Sequence, residues 1–100
     1  MTAARYPTRK VIAVDVDDTL HVNGRVNQKL VKWCEQQKAN GYSLMLWSAR
    51  GKQYAQAAAE QFCVAHLFDD IVSKPGYIVD DQGWSWIKFT HVVRRLDVDA

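Results

Sequence analysis

Two prolines, five glycines and two cysteines among 100 residues leave no proline- or glycine-rich linker. No repeat or low-complexity tract interrupts the chain, so one domain over residues 1–100 is expected. No apolar run approaches the length of a membrane span, so no membrane partner is expected. Cys34 and Cys63 stand far apart with no Cys-x-x-Cys and no histidine cluster beside them, and both read as reduced core residues. A formal net charge of +2 is too small to imply nucleic-acid binding by itself. The opening MTAARYPTRK is basic but runs into a strand-like segment rather than the apolar stretch of a signal peptide, so cytoplasmic residence is the expectation. With 48% apolar and 24% charged residues, the composition is that of an ordinary soluble globular chain.

What is present is alternation of strand and helix patterns. Val11 to Val16 is apolar and β-branched, too short for a helix and suited to a strand covered on both faces. Asn23-Gly24 marks a short hairpin, because both central positions of a type I′ turn need positive φ. Asn27 reads as the N-cap of a helix with Leu30, Trp33, Cys34 and Gln37 near one face, ended by Asn40-Gly41. Tyr42 to Ser48 reads as a second buried strand. After Ala49-Arg50-Gly51 follows an alanine-rich helix with Tyr54, Ala58 and Phe62 as its apolar stripe and Ala55, Ala57 and Ala59 allowing close approach to a sheet. A short Ile71-Val72 segment leads to Lys74-Pro75-Gly76, and Tyr77 to Val79 reads as a third strand ending at Asp80-Asp81. The last segment has a helical pattern through Trp86, Phe89, Val92, Val93 and Leu96. Together these predict a three-layer α/β domain with a central parallel sheet and a short hairpin flap.

The unusual feature is the end of the first strand, where Asp15, Asp17 and Asp18 fall within four positions. In open parallel sheets ligands bind beyond the carboxyl ends of the strands. On this pattern the second strand brings Ser48 and Arg50 to the same rim and the third brings Asp80 and Asp81. Crowded carboxylates raise one another's pKa unless a cation sits among them, and a hard divalent ion with oxygen ligands, magnesium above all, suits the cluster. Asp69-Asp70 is a second acidic pair that faces solvent or starts a strand. His21, His66 and His91 are scattered and take surface or capping roles, with His21 nearest the acidic loop.

Asp15-Val16-Asp17-Asp18-Thr19-Leu20 resembles the signature of the haloacid dehalogenase superfamily of phosphohydrolases, an apolar strand followed by Asp-x-Asp-Gly-Thr. Ser48 after LMLWS, Lys74, and Asp80-Asp81 after YIV follow in the order of that family's later motifs. Asp18 stands at the usual glycine position, and aspartate tolerates positive φ better than most residues. The resemblance implies a Rossmann-like fold and an aspartyl-phosphate mechanism. Asp15 would be the nucleophile and Asp17 the acid and base, on the same side of an extended strand. Ser48 would donate to a phosphoryl oxygen, and Lys74 would neutralise charge and hold Asp15. Thr19 would orient the loop at the substrate. Magnesium would be held by Asp15, the main-chain carbonyl of Asp17, and Asp80 or Asp81. The plainer alternatives are a turn cluster for Asp15 and Asp17, a helix cap for Ser48 and a surface lysine for Lys74.

Members of that superfamily acting on small metabolites usually carry an inserted cap domain, and neither insertion point here has room for one. A site without a cap is open, which suits a large phosphorylated substrate such as a nucleotide or nucleic-acid end, or calls for a homo-oligomer to close it. Ser48-Ala49-Arg50, and Val79-Asp80-Asp81 followed by a tryptophan, resemble the phosphatase domain of polynucleotide kinase-phosphatases, which remove 3′-phosphates. The Lys74-Pro75 to Asp80-Asp81 spacing resembles small bacterial and phage members equally well. Arg50 is suited to grip a second phosphate or a carboxylate, and Trp84 or Trp86 to stack on a base. The reading from another class is a catalytically inactive binding or assembly module on the same fold; phosphonate or haloacid chemistry is a further enzymatic alternative.

Overall fold

The structure, a computed structural model, describes residues 9–94 except for the side chains of Trp86, Lys88 and Phe89. Strand β1 (Val11–Asp15) is followed by the hairpin β2 (His21–Val22) and β3 (Arg25–Val26), helix α1 (Gln28–Ala39), β4 (Ser43–Ser48), helix α2 (Lys52–Gln61) and β5 (Asp70–Ser73). The main sheet has the order β1-β4-β5 with both pairings parallel, so the protein is α/β. Among the described residues, no helix is long and apolar enough to cross a membrane.

Local chemistry accounts for most boundaries. Asn23 and Gly24 have φ of 53° and 77°, as a type I′ turn requires, and the two short strands pair antiparallel around them. Asn27 caps α1, its side chain accepting from the Leu30 amide at 3.2 Å. Asn40 closes the same helix and Gly41 follows with φ 92°.

One face of the sheet carries the core. Ile12 and Val14 of β1 lie in register with Leu44 and Leu46 of β4. Leu30 and Cys34 of α1 and Ala55, Ala58 and Ala59 of α2 are buried in the same cluster. Crossovers between parallel strands are right-handed as a rule, and two stepping in the same direction put both helices on one side. Burial pushes the Cys34 thiol up to about 11, with the neighbouring Glu35 adding to it, so Cys34 packs rather than reacts. On the other face Val11 is 56% exposed, and Ala13 is exposed as well. The described residues therefore make two layers where three are expected.

The difference arises after β5. The third strand is Asp70–Ser73, whereas Tyr77 to Val79 forms no strand, with Tyr77 exposed by 89%, Val79 by 94% and Ile78 half-buried. Parallel neighbours need a crossover of roughly a dozen residues, and only Lys74-Pro75-Gly76 separates Ser73 from Tyr77. The expected last helix is replaced by a 3-10 helix at Gly83–Phe89, with no regular structure at 90–94; Leu96 lies outside the described residues. Two smaller corrections concern α2: Ala57 is exposed rather than against the sheet. Cys63 is exposed rather than in the core, with φ 57° just past the helix end.

Asp69 extends the β4-β5 ladder with its side chain. Its amide donates to the Leu44 carbonyl at 2.8 Å, its carboxylate accepts from the Leu44 amide at 2.9 Å, and Lys38 lies 3.4 Å away. The Leu44 amide, then Lys38, hold this carboxyl below its ordinary 3.8. A depressed folded-state pKa stabilises above the unfolded value and stops doing so as pH falls through the folded one. Asp69→Asn is therefore expected to lower the melting temperature at pH 7, with the gap to wild type narrowing as pH falls below the ordinary 3.8, in paired thermal scans. A gap that stays constant as the pH is lowered would show that the charge is not its source.

Candidate active site

The parallel ladder brings the carboxyl ends of β1, β4 and β5 to one edge, and the polar groups there fall into two linked pairs. The first is Asp15 with Lys74. Lys74 directly follows β5, its amide donates to the Ser48 carbonyl at 2.9 Å, and its ammonium lies 3.1 Å from Asp15 Oδ1. Because β4 stands between β1 and β5, the lysine crosses Trp47, the register partner of Asp15. Its Nζ is 5.6 Å from that ring centroid, within cation–π range. Both side chains are about a third exposed, Lys74 by 36% and Asp15 by 35%.

The second pair is Asp17 with Arg50. Strand β1 stops at Asp15, and the amides of Thr19, Leu20 and His21 all return to the Val16 carbonyl. Asp17 therefore sits in a turn, not on an extended strand. Asp18 in this turn has φ 59°, a left-handed conformation that aspartate accepts more readily than bulkier residues. Instead of following Asp15 toward Lys74, Asp17 meets Tyr54 and Arg50. The Tyr54 hydroxyl donates to Asp17 Oδ1 at 2.6 Å, and Arg50 Nη1 is 3.6 Å from Oδ2. His21 Nε2 is 3.1 Å from Oδ1, so the carboxylate assigns that nitrogen the donor proton. The Tyr54 hydrogen bond is the main reason the Asp17 carboxyl lies below its ordinary 3.8, with His21 and Arg50 adding to it. The same bond raises the Tyr54 phenol.

Ser48 is 2% exposed. Its Oγ accepts from the Arg50 amide at 3.0 Å, a local turn contact that leaves its own O–H as a donor. Thr19 Oγ1 donates to Asp15 Oδ2 over a long 3.4 Å, and the Thr19 carbonyl accepts from Asn27 at 3.2 Å. Thr19 thus ties the acidic turn to the cap of α1.

Asp80 and Asp81 do not join this group. Both are exposed, and Asp80 Oδ1 accepts from the Gln82 amide at 2.8 Å in a turn of its own. Among the described residues, no three His, Cys, Asp or Glu side chains converge as a metal-binding group. Clefts of about 430 and 380 Å3 lie beside β5 and the hairpin. Neither is lined by Asp15, Asp17, Ser48 or Lys74, and the rim carboxylates are open to water, Asp15 by 35% and Asp17 by 41%. Trp84 is 49% exposed, and the side chain of Trp86 lies outside the described ones.

Tyr54 and His21 are the site residues that sequence reasoning missed. Tyr54 reads as one member of an apolar stripe, and only its hydroxyl at the start of α2 hinted otherwise. His21 reads as a surface residue, yet it is 19% exposed and its ring stands 5.2 Å from that of Phe62. Compared with protein-family models, curated proteins and solved structures, the chain matches none.

Proposed function

We propose that the protein is a magnesium-dependent phosphomonoester hydrolase of haloacid dehalogenase type, acting through an aspartyl-phosphate on Asp15. The observation that carries this reading is the Asp15 carboxylate at the end of β1, 3.1 Å from Lys74, with Asp17 and Arg50 at the same rim. A phosphoryl group set against Asp15 meets Lys74 and Arg50, two cations suited to its developing charge. Asp15 attacks phosphorus, the bond to the leaving oxygen breaks, and Asp17 supplies the proton that oxygen needs. Water then attacks the aspartyl-phosphate and returns a proton to Asp17. In the free protein the partners of Asp17 favour its carboxylate form; a phosphate dianion brought close acts in the opposite sense, because a like charge raises a carboxyl pKa.

The donor chemistry fits magnesium, which is typically held by one or two carboxylates together with waters and substrate phosphate. Among the described residues Asp15 Oδ2 has only the long Thr19 contact, and the Asp17 carbonyl would supply a further oxygen, with waters and substrate phosphate completing the set. The ion would supply charge neutralisation at the phosphoryl oxygens. The open rim favours a large substrate, a nucleotide or nucleic-acid end, with Arg50 as its second anion contact. A HAD-like, Rossmann-like arrangement accords with a nucleophile on the first strand of a parallel sheet.

Phosphate release from 4-nitrophenyl phosphate with magnesium, and again with a chelator, tests the proposal. Turnover that vanishes with the chelator is expected. The separation of Asp80 and Asp81 from the rim favours a second reading, an inactive binding module. On that reading the folded protein binds orthovanadate but releases no phosphate from the aryl ester or from 3′- and 5′-phosphorylated oligonucleotides.

A further inference from the structure

Asp17 is gripped through one oxygen and left open at the other. Oδ1 takes the Tyr54 hydroxyl at 2.6 Å and His21 Nε2 at 3.1 Å. Among the described residues Oδ2 meets only Arg50, at 3.6 Å. Both grips trace to α2. Tyr54 stands in its first turn, next to Ala55, which is fully buried against the sheet. Phe62, just past its end, backs the His21 ring. The Tyr54 ring does a second task, lying 3.9 Å from the guanidinium of Arg50. Stacking on an aromatic ring fixes the plane of that cation and so the direction of its N–H groups.

We infer that Tyr54 is a positioning residue for the proposed hydrolysis. Its hydroxyl anchors Asp17 Oδ1 so that Oδ2 faces the leaving group, and its ring holds Arg50 beside that oxygen. The inference rests on the phosphatase reading and adds a division of labour within Asp17. Oδ1 is the structural oxygen and Oδ2 carries the proton: it gives it to the leaving oxygen as the phosphorus–oxygen bond breaks and takes one back from the attacking water. No other co-reactant enters. Misplacing a proton donor matters most where the leaving oxygen is basic and needs the proton early.

The test compares wild type, Tyr54→Phe and Tyr54→Leu on 4-nitrophenyl phosphate, whose leaving group departs without help, and on propyl phosphate, whose leaving group does not. Tyr54→Phe keeps the ring and removes the hydroxyl. It is expected to lower kcat on propyl phosphate by about tenfold or more while changing the aryl ester by less than about threefold and KM by less than about twofold. Tyr54→Leu also removes the shelf under Arg50 and should raise KM for both. A purely structural role lowers both substrates together. An equal fall on the two esters in Tyr54→Phe, or none, overturns the inference and leaves the phosphatase reading intact. Wild-type protein silent on both esters and on 3′- and 5′-phosphorylated oligonucleotides overturns the two together.

Discussion

Asp15→Asn is expected to abolish phosphate release, by on the order of 10³-fold or more, with little change in stability. The amide has the shape of the carboxylate but offers no anionic oxygen to phosphorus, so the covalent route closes. The fold should tolerate the change because what it loses is one ion pair, Lys74 to Asp15 at 3.1 Å, between side chains that are each about a third exposed. Pairs exposed to water contribute about 0–1 kcal/mol. Phosphate release and a thermal scan on the same preparation separate loss of chemistry from loss of structure. If Asp15→Asn keeps a tenth or more of the wild-type rate, the nucleophile is some other group. Lys74→Met should fall between wild type and Asp15→Asn, because it removes charge stabilisation while the nucleophile remains.

Much of the frame was legible in the sequence because it rests on local chemistry. A β-branched run, a two-residue turn with positive φ at both centres, an asparagine cap and an Asn-Gly stop each act over a few residues, and the structure has them where the pattern puts them. Asp18 has φ 59°, a conformation that aspartate accepts more readily than bulkier residues, and only the resemblance, with its glycine at that position, pointed to it. The errors lie where distant parts of the chain decide. Ile71-Val72 and Tyr77-Ile78-Val79 are equally strand-like as strings, and the arithmetic of crossover length chooses between them. With that choice, Asp80 and Asp81 leave the rim. Within the site, Asp15 and Lys74 lie 59 positions apart in the numbering of the chain, yet motif order alone suggested their meeting. Tyr54 and Asp17 met unannounced, because a tyrosine in an apolar stripe gives no sign of where its hydroxyl points until α2 is laid across the end of β1.

The same kind of substitution in two strand-like segments separates the structure from the simpler sequence pattern. Leu46→Ala is expected to destabilise by about 2–5 kcal/mol, a shift of roughly 10 °C or more in Tm for a chain of this size. Leu46 is fully buried in the central strand, in register with Val14 on one side and Ile71 on the other. Truncation there leaves a cavity that two neighbouring strands and the helices above them cannot close without moving. Because β4 also carries Ser48, two residues on, any relaxation of the strand displaces that hydroxyl, and phosphate release should fall even at temperatures where the variant stays folded. Val79→Ala, in the segment that reads as a strand, removes a side chain that is 94% exposed. It should change stability by no more than about 0.5 kcal/mol. Chemical denaturation of the two variants beside wild type reads both values. A loss above about 1 kcal/mol for Val79→Ala would mean that this segment is packed in solution, bringing Asp80 and Asp81 with it. A similarly small loss for Leu46→Ala would mean that the core does not lie under β4.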